Sequence, residues 1–287
     1  MIKLLVPVIF TDYSLHAVQY ALTLAGKFPA EVTLLHCFGD YLPREAETGG
    51  ERSDDNEHLE DLEKQELAVR QRLEQFRDES RPQPTPDQQL ALHCRFEYGY
   101  PEDLIPKISM RERFDVVVMG TKTKGETIKE TLGSITGDVI RKSTVPVLAV
   151  PAQAAAHPES LSRILFLLER NDRDYLSLHH LIRLISPFHT EINAVLYCKT
   201  RADKNDIRRM DQLRSYCDST YRHLKINFDI ITGRNYIESL ESYLVENPAD
   251  LLAMTRQKRK SLSKLFSPSI TRQLLFRTDQ PLLVFQK

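Results

Sequence analysis

Tryptophan is missing from the 287-residue sequence, and its tyrosines and phenylalanines fall at the spacing of core positions. Nothing in this distribution indicates the aromatic platforms on which single-stranded nucleic acid stacks. An excess of charge is missing as well, since 39 basic residues face 40 acidic ones and the formal net charge is −1. No overall electrostatic field therefore recruits nucleic acid or an anionic membrane, and we expect neither partner.

Long apolar runs are also absent, because no stretch approaches the roughly 20 residues of a membrane-spanning helix. The apolar residues 1–10 reach an acid at Asp12 without a cleavage-site pattern, so we interpret them as a strand rather than a signal peptide. Cysteine is scarce, and the four cysteines lack metal-ligand spacing. We predict that they are reduced thiols in a cytoplasmic protein.

The common catalytic motifs are not found either. The sequence has no P-loop, no Gly-x-Ser-x-Gly nucleophile motif and no HExxH zinc motif. Gly120 and Gly125 have the spacing of the two P-loop glycines, but Glu126 stands where that motif has lysine. The nine histidines form no Ser/His/Asp order and no metal-ligand pattern. We therefore predict no catalytic residue and no metal site.

The N-terminal residues begin a β-α-β pattern. Residues 3–10 form a near-continuous apolar run typical of a buried central strand, and residues 31–38 form a second strand. Between them, apolar residues at helical spacing predict a helix over 15–27, with Ser14 as its N-cap. This arrangement predicts a parallel sheet with a right-handed crossover.

An acidic insertion over residues 40–66 interrupts the pattern, with 11 acids and three bases. We predict a loop at its start and an amphipathic helix from about Asn56. It is either a solvated insertion or an acidic docking surface. A proline-rich break over 81–86 follows, then a third strand over 90–98 and a helix that Pro101 opens.

Residues 115–151 contain the features of an anion site. A valine-rich strand over 115–119 leads through a glycine-containing loop to a helix over 135–142, which Gly133 and Ser134 open. A last strand follows over 145–150. Free N–H groups and the positive end of the helix dipole would both face an anion there. Lys122 and Lys124 add positive charge, and Ser134 adds a hydroxyl.

The whole pattern occurs twice. Early elements repeat after about 160 residues, as Lys3 with Arg163 and Cys37 with Cys198, whereas late ones such as Asp115 and Asp250 repeat after about 135. The acidic insertion accounts for the difference. We predict an α/β fold of two tandem, doubly wound, five-stranded parallel-sheet domains, at residues 1–152 and 160–287, with the ligand crevice at the carboxyl ends of the strands.

The glycine-containing loop resembles the nucleotide signature of the universal stress protein (UspA-like) family, which is Gly, two residues, Gly, nine residues, Gly, then Ser or Thr. The pattern falls on Gly120, Thr123, Gly133 and Ser134, with Thr123 in place of one glycine. The residues Thr-Asp-Tyr-Ser at 11–14 are similar to the family's Thr-Asp-Phe-Ser after the first strand. The resemblance covers both halves and implies an adenine nucleotide α-hydrolase-like, Rossmann-type fold.

The resemblance also implies a ligand and its contacts. In the first domain alone it implies ATP, with Mg²⁺, bound by Thr11, Asp12, Cys37, Met119, Gly120, Lys122, Thr123, Gly133, Ser134, Ile135 and Thr136. In the second copy Thr255, Lys258 and Pro268 replace the three glycines and only Ser269 remains, so we expect no nucleotide bound there in the family's way.

The resemblance extends to assembly, because the terminal strands of family members meet across a dimer axis. Here residues 145–150 and 281–285 can pair within one chain, which gives a pseudo-dimer and hides both edges. This intrachain pairing is also compatible with a homodimer formed by two whole chains.

Three functions follow as hypotheses. The first is a cytoplasmic stress-response protein that senses or signals by binding an adenine nucleotide. The second is a nucleotide-independent interaction scaffold, which would use the acidic insertion and a basic loop of the second copy, with Arg256, Lys258, Arg259, Lys260 and Lys264. The third is a slow nucleotide hydrolase that uses Asp12, Lys122 and Ser134. We expect binding rather than turnover.

Overall fold

The computed structural model describes residues 1–39, 55–81, 89–121, 132–154, 161–169, 174–256 and 270–286. In the first half, strands and helices alternate as β1 Ile2–Pro7, α1 Asp12–Ala25, β2 Ala30–Phe38, α2 Asp55–Ser80, β3 Leu90–Tyr98, α3 Pro101–Arg111, β4 Val116–Thr121, α4 Leu132–Lys142 and β5 Val147–Pro151. The second half repeats the order as β6 Arg163–Leu168, α5 Asp174–Ile185, β7 Glu191–Cys198, α6 Lys204–Thr220, β8 Lys225–Thr232, α7 Tyr236–Glu246, β9 Leu251–Thr255, α8 Ile270–Arg277 and β10 Leu282–Phe285.

All ten described strands form one sheet, in the order β3-β2-β1-β4-β5-β10-β9-β6-β7-β8. Neighbouring strands are parallel except at the centre, where β5 and β10 are antiparallel and Leu148 faces Leu283. The predicted pairing of the two terminal strands within one chain is therefore confirmed. Each half keeps the doubly wound order, and the halves share two core layers, one on each face of the sheet.

Matching hydrogen bonds show the repeat at the level of single residues. The Asp115 carboxylate accepts a bond from the Lys3 amide at 2.8 Å, and the Asp250 carboxylate accepts one from the Arg163 amide at 2.9 Å. These pairs confirm the equivalence of the first and fourth strands of each half.

One predicted equivalence is wrong by one residue. The Gly99 N–H donates to the Phe38 carbonyl at 3.0 Å, and the Gly233 N–H donates to the Cys198 carbonyl at 3.3 Å. Cys198 is therefore equivalent to Phe38, and the residue equivalent to Cys37 is Tyr197.

The start of α1 also differs from the prediction. The helix begins at Asp12 with Thr11 at the N-cap position, so Ser14 lies inside the first turn. The Ser14 hydroxyl accepts a bond from the Ile9 amide at 2.9 Å and closes the turn that follows β1. In the second half the Asp174 carboxylate accepts from the Glu169 amide at 3.1 Å. Ser14 therefore stabilises the turn between β1 and α1, and it does not cap a free amide at the start of the helix.

Helix α2 begins close to the predicted position and packs on the outer strands of the first half through Leu73 and Phe76, which are buried. The Arg70 guanidinium lies over the Phe96 ring at 4.1 Å. The predicted loop at the start of the acidic insertion and the proline-rich break lie outside the described residues, apart from Arg81. Most of the predicted linker between the halves, at 155–160, also lies outside them.

Candidate functional site

The close approach of β4 to α1 organises the candidate site. A Cβ atom placed on Gly120 would lie 2.2 Å from the carbonyl oxygen of Tyr13, far inside van der Waals contact. Only glycine allows this approach without a backbone shift. Because Tyr13 follows Asp12 directly, the approach brings the Asp12 backbone to the carboxyl end of β4.

Helix α4 reaches the same point from the other direction. The Thr136 hydroxyl, which is buried, donates a long hydrogen bond of 3.5 Å to the Gly120 carbonyl. The helix begins at Leu132, so Gly133 and Ser134 lie in its first turn. The amides of a first helical turn have no partner within the helix, and they carry the positive end of the dipole. Gly120 therefore lies between the beginnings of α1 and α4.

The residues after β1 present polar groups at this junction. Asp12 is exposed in the first turn of α1, where a carboxylate is favoured by the helix dipole. Thr11 makes no side-chain capping bond, and its hydroxyl oxygen is buried without a hydrogen-bond partner. A buried hydroxyl without a partner is costly, so Thr11 offers an unused group beside the helix start.

Cys37, Met119 and Ile135 lie on one face of the sheet and belong to one apolar cluster with the buried residues beneath α3 and α4. Burial, with a smaller contribution from the carboxylates of Glu97 and Glu102, raises the pKa of the Cys37 thiol to about 12. Cys37 is thus a neutral thiol at physiological pH, and it is not a nucleophile. These three side chains form an apolar floor.

The structure accordingly brings the start of α1, with Thr11 and Asp12, close to Gly120, Thr136 and the first turn of α4. It places Cys37, Met119 and Ile135 in one apolar cluster. The predicted contacts at Lys122 and Thr123 lie outside the described residues, as do the side-chain surroundings of Ser134. Among the described residues, no group of three or more His, Cys, Asp and Glu side chains has the arrangement of a metal site.

The equivalent place in the second half is filled. The Tyr197 ring occupies the position of Cys37, and its hydroxyl donates to the Gly233 carbonyl at 2.6 Å. The Tyr236 ring packs edge-on against it with centroids 4.8 Å apart. Burial raises the pKa of Tyr236, and Glu169 and Tyr197 raise it further, so the phenol stays neutral. Two aromatic rings lie where the first half has a cysteine.

At the end of β9, too, a side chain fills a space that is open to the backbone at the end of β4. Thr255 stands in the position of Gly120, is buried, and donates its hydroxyl to the Ser177 hydroxyl at 2.7 Å. A side chain and its hydrogen bond therefore replace the close backbone approach of the first half.

Three residues of this comparison were not found from the sequence. Tyr13 acts through its backbone, so its side-chain type carried no signal. Tyr197 was missed because the repeat had been aligned one residue out of register, and Tyr236 follows Gly233 in a segment without a motif. The correct register, anchored on Glu31 and Glu191, would have shown a tyrosine opposite Cys37.

Behind the site, Phe10 has a left-handed backbone with φ of 58°. Its ring stacks on His36 with centroids 4.8 Å apart, and the His36 Nδ1 lies 2.9 Å from the Val8 carbonyl. Burial lowers the pKa of His36, which keeps the ring neutral and its Nδ1–H a donor to that carbonyl. The strained turn after β1, which delivers Thr11 and Asp12, is held in place by this stacking.

Comparison with solved structures shows how widely the fold occurs. A universal stress protein from Archaeoglobus fulgidus superimposes with a TM-score of 0.71 at 16% identity, covering 99% of this chain and 98% of that one. A functionally unknown protein from Pseudomonas aeruginosa gives 0.55 at 13% identity, covering 99% and 92%. The cytoplasmic domain of a prokaryotic cation chloride cotransporter gives 0.52 at 14% identity, covering 99% and 94%.

At these identities the structural matches establish the fold alone. A sequence search of curated proteins gives no match. No helix in the described part of the chain is long and apolar enough to cross a membrane. The model of the universal stress protein family matches residues 1–151, more than half of the sequence. The chain therefore belongs to the universal stress protein family.

Proposed function

We propose that the half built from β1 to β5 binds an adenine nucleotide, with ATP as the expected ligand, and that the other half does not. The observation that carries the proposal is the junction at Gly120. There the first turn of α1, the end of β4 and the first turn of α4 meet. A hydroxyl, a carboxylate and free helix amides would then be available to one bound nucleotide, as nucleotide recognition requires.

The charges around the crevice suggest an orientation for the ligand. Glu97 and Glu102 raise the pKa of Cys37 more than Arg95 lowers it, so that end favours neutral hydroxyl and amino donors over phosphate. The base and ribose would lie there, within reach of Asp12 and Thr11. The phosphates would lie at the first turn of α4, where Gly133 and Ser134 offer N–H and O–H donors, with Lys122 adding positive charge and Thr123 bordering the loop.

Mg²⁺ would bind with the triphosphate rather than at a site of its own, because this ion is usually held by substrate phosphates and one or two carboxylates. Asp12, which is exposed in the first turn of α1, would be the carboxylate available to it. The protein would respond to nucleotide by binding and not by turnover, in the cytoplasm, as a sensor or signalling protein of the stress response. We also propose domain boundaries at 1–152 and 160–287.

The filled second half supports the assignment of the ligand to the first domain alone. Tyr197 and Tyr236 occupy the place where the base end of a ligand would lie, and Thr255 replaces Gly120. Neither ring can leave without breaking the bond to the Gly233 carbonyl or uncovering the apolar cluster beneath.

A nucleotide-independent scaffold is the second candidate, and one observation favours it. The backbone approach to Tyr13 accounts for Gly120 without any ligand. If Thr123 also blocks a phosphate, the remaining loop is structural only, and a required φ above zero at Thr123 would cost about 1–3 kcal/mol. The acidic insertion and the basic loop after β9 would then recruit partners.

Isothermal titration calorimetry with ATP and Mg²⁺ separates the two. Nucleotide binding predicts saturable heat with one site per chain, lost in Asp12→Asn and weakened at least tenfold in Ser134→Ala. The matched control is Ser269→Ala, the equivalent serine of the second half, which should bind as the wild type does. If the wild type gives no heat at millimolar ATP but Thr123→Gly creates binding, the scaffold function holds instead.

A further inference from the structure

Strand β8 is the last strand at one end of the sheet. It pairs with β7 over all eight residues in an unbroken register, from Lys225 to Thr232. Its other side has no strand partner among the described residues. The strand contains no proline, no glycine and no bulge, which are common means of protecting such an edge from pairing with another chain.

An open groove of about 490 Å³ runs along this edge. Arg214 and Phe228 line it on one side, with the guanidinium 5.5 Å from the ring centroid. Asp229 and Asn247 line it on the other side, and the Tyr243 hydroxyl donates to the Asp229 carboxylate at 2.6 Å. These contacts hold side chains above and below the strand.

The backbone groups that face outward can be identified from one bond. The Gly233 N–H points inward, because it donates to the Cys198 carbonyl of β7 at 3.3 Å. In a strand, successive residues direct their N–H and C=O groups to opposite sides, so the odd-numbered residues of β8 face β7. Ile226, Phe228 and Ile230 therefore direct their N–H and C=O groups to the free edge, where they have no strand partner within the described part of the chain.

We propose that β8 pairs antiparallel with β8 of a second copy of the chain, about a two-fold axis at Phe228. Phe228 then forms a hydrogen-bonded pair with its copy, and Ile226 pairs with Ile230 of the second copy. About six inter-chain backbone bonds result. On the opposite face Asn227 lies directly opposite Asp229 of the second copy, so no two like charges are directly opposite each other.

The residues of this register fit one another. On one face the pairs are aromatic with aromatic and isoleucine with isoleucine, combinations that stabilise antiparallel strands. Helices α6 and α7, which flank β8, also carry exposed apolar side chains: Ile207 on α6 and Val245 on α7. A second copy would bring α6 and α7 next to their own copies.

The other end of the sheet is a poorer candidate. The same register on β3 would centre on Cys94 and place His93 opposite Arg95 of the second copy. We therefore assign the contact to β8. A single pair of edge strands buries less area than stable dimers usually do, so the dimer would be weak and concentration-dependent.

Sedimentation velocity over a concentration series tests the proposal on the full chain. The wild type should shift from monomer towards dimer as concentration rises. Ile226→Pro, which removes an outward N–H, should remain monomeric with an unchanged circular dichroism spectrum. The matched control is Leu92→Pro at the equivalent position of β3, where the N–H also points outward, and it should dimerise like the wild type.

A second variant keeps the proposal testable if Ile226→Pro does not fold. Ile230→Lys changes a side chain that is 38% exposed, and it should weaken dimerisation at least tenfold while the melting temperature stays unchanged. Leu67→Lys, at an exposed site away from β8, should have no effect. A wild type that stays monomeric throughout, or dimers that Leu92→Pro but not Ile226→Pro abolishes, would overturn the proposal.

Discussion

The fold requires glycine at position 120 whether or not a ligand binds. Gly120→Ala would place a methyl group 2.2 Å from the Tyr13 carbonyl oxygen, so we expect it to destabilise the protein by about 2–3 kcal/mol. Gly137→Ala in helix α4 is the matched control, because nothing lies within 4 Å of its Cβ position. It should stabilise the protein by about 0.5–1 kcal/mol. Urea denaturation measures both, and equal stability of Gly120→Ala and the wild type would rule out the close approach.

His36 should make the stability of the protein depend on pH, and the sign of this dependence follows from the burial of its ring. Burial lowers its pKa below 6.5 in the folded state, and the bond to the Val8 carbonyl only partly offsets this. Below that value the unfolded chain binds the proton more readily, so the contribution of His36 to stability is present above pH 6.5 and is lost as the pH falls through the folded pKa.

The corresponding experiment compares denaturation at pH 7 and pH 5. His36→Asn, which retains a donor towards Val8, should lose less stability between the two pH values than the wild type does. His223→Asn measures the effect of removing an exposed imidazole. A pH dependence that His36→Asn leaves unchanged would show that His36 protonates as easily in the folded protein as in the unfolded chain.

Helix α2 depends on few side chains relative to its length. Among its described side chains, Leu73 and Phe76 alone are buried, and the Phe76 ring meets Phe10 edge-on with centroids 5.9 Å apart. Phe76→Ala should cost about 3–4 kcal/mol and speed amide exchange throughout α2. Leu67→Ala, where 57% of the residue is exposed, should stay within about 0.5 kcal/mol of the wild type. Unchanged exchange in Phe76→Ala would show that α2 is held by other contacts.

Strands were predicted best where an apolar run ends in a clear stop. The sequence alone predicted β3 with the bounds that the structure has, because polar or turn residues border its apolar run. The first strand was predicted to end three residues too late, at residue 10 rather than at Pro7. Val8 and Phe10 continue the apolar run because they pack into the core from a turn, where Phe10 is left-handed. Both positions are apolar because their side chains are packed against the core, although neither residue belongs to the strand.

The candidate site was predictable in part for the same reason. Asp12, Gly120 and Ser134 follow strands or open helices, and in a doubly wound sheet such positions converge. The contact that brings them together depends on the distance between α1 and β4, and no pattern along the chain contains that distance. The tyrosines of the second half likewise become visible only after the register of β7 against β6 is known.

At the scale of the whole molecule, the antiparallel pair of β5 and β10 makes one sheet of two halves. Leu148 and Leu283 face each other there and are both fully buried. Arg256, at the end of β9, donates to the Arg141 carbonyl at the end of α4 at 2.9 Å and links the halves a second time. A junction inside a shared core should couple the unfolding of the halves.

The absence of tryptophan makes this coupling measurable. Tyr100→Trp and Tyr216→Trp place single reporters at partly exposed sites, one in each half, and both should show the same urea midpoint. Adding Leu283→Ala should cost about 2–4 kcal/mol and lower both midpoints equally, although it lies in the second half. Val245→Ala, 83% exposed, should move neither. Separate midpoints, or a shift confined to the Tyr216→Trp reporter, would mean that each half unfolds by itself and that the central strand pair contributes little to cooperativity.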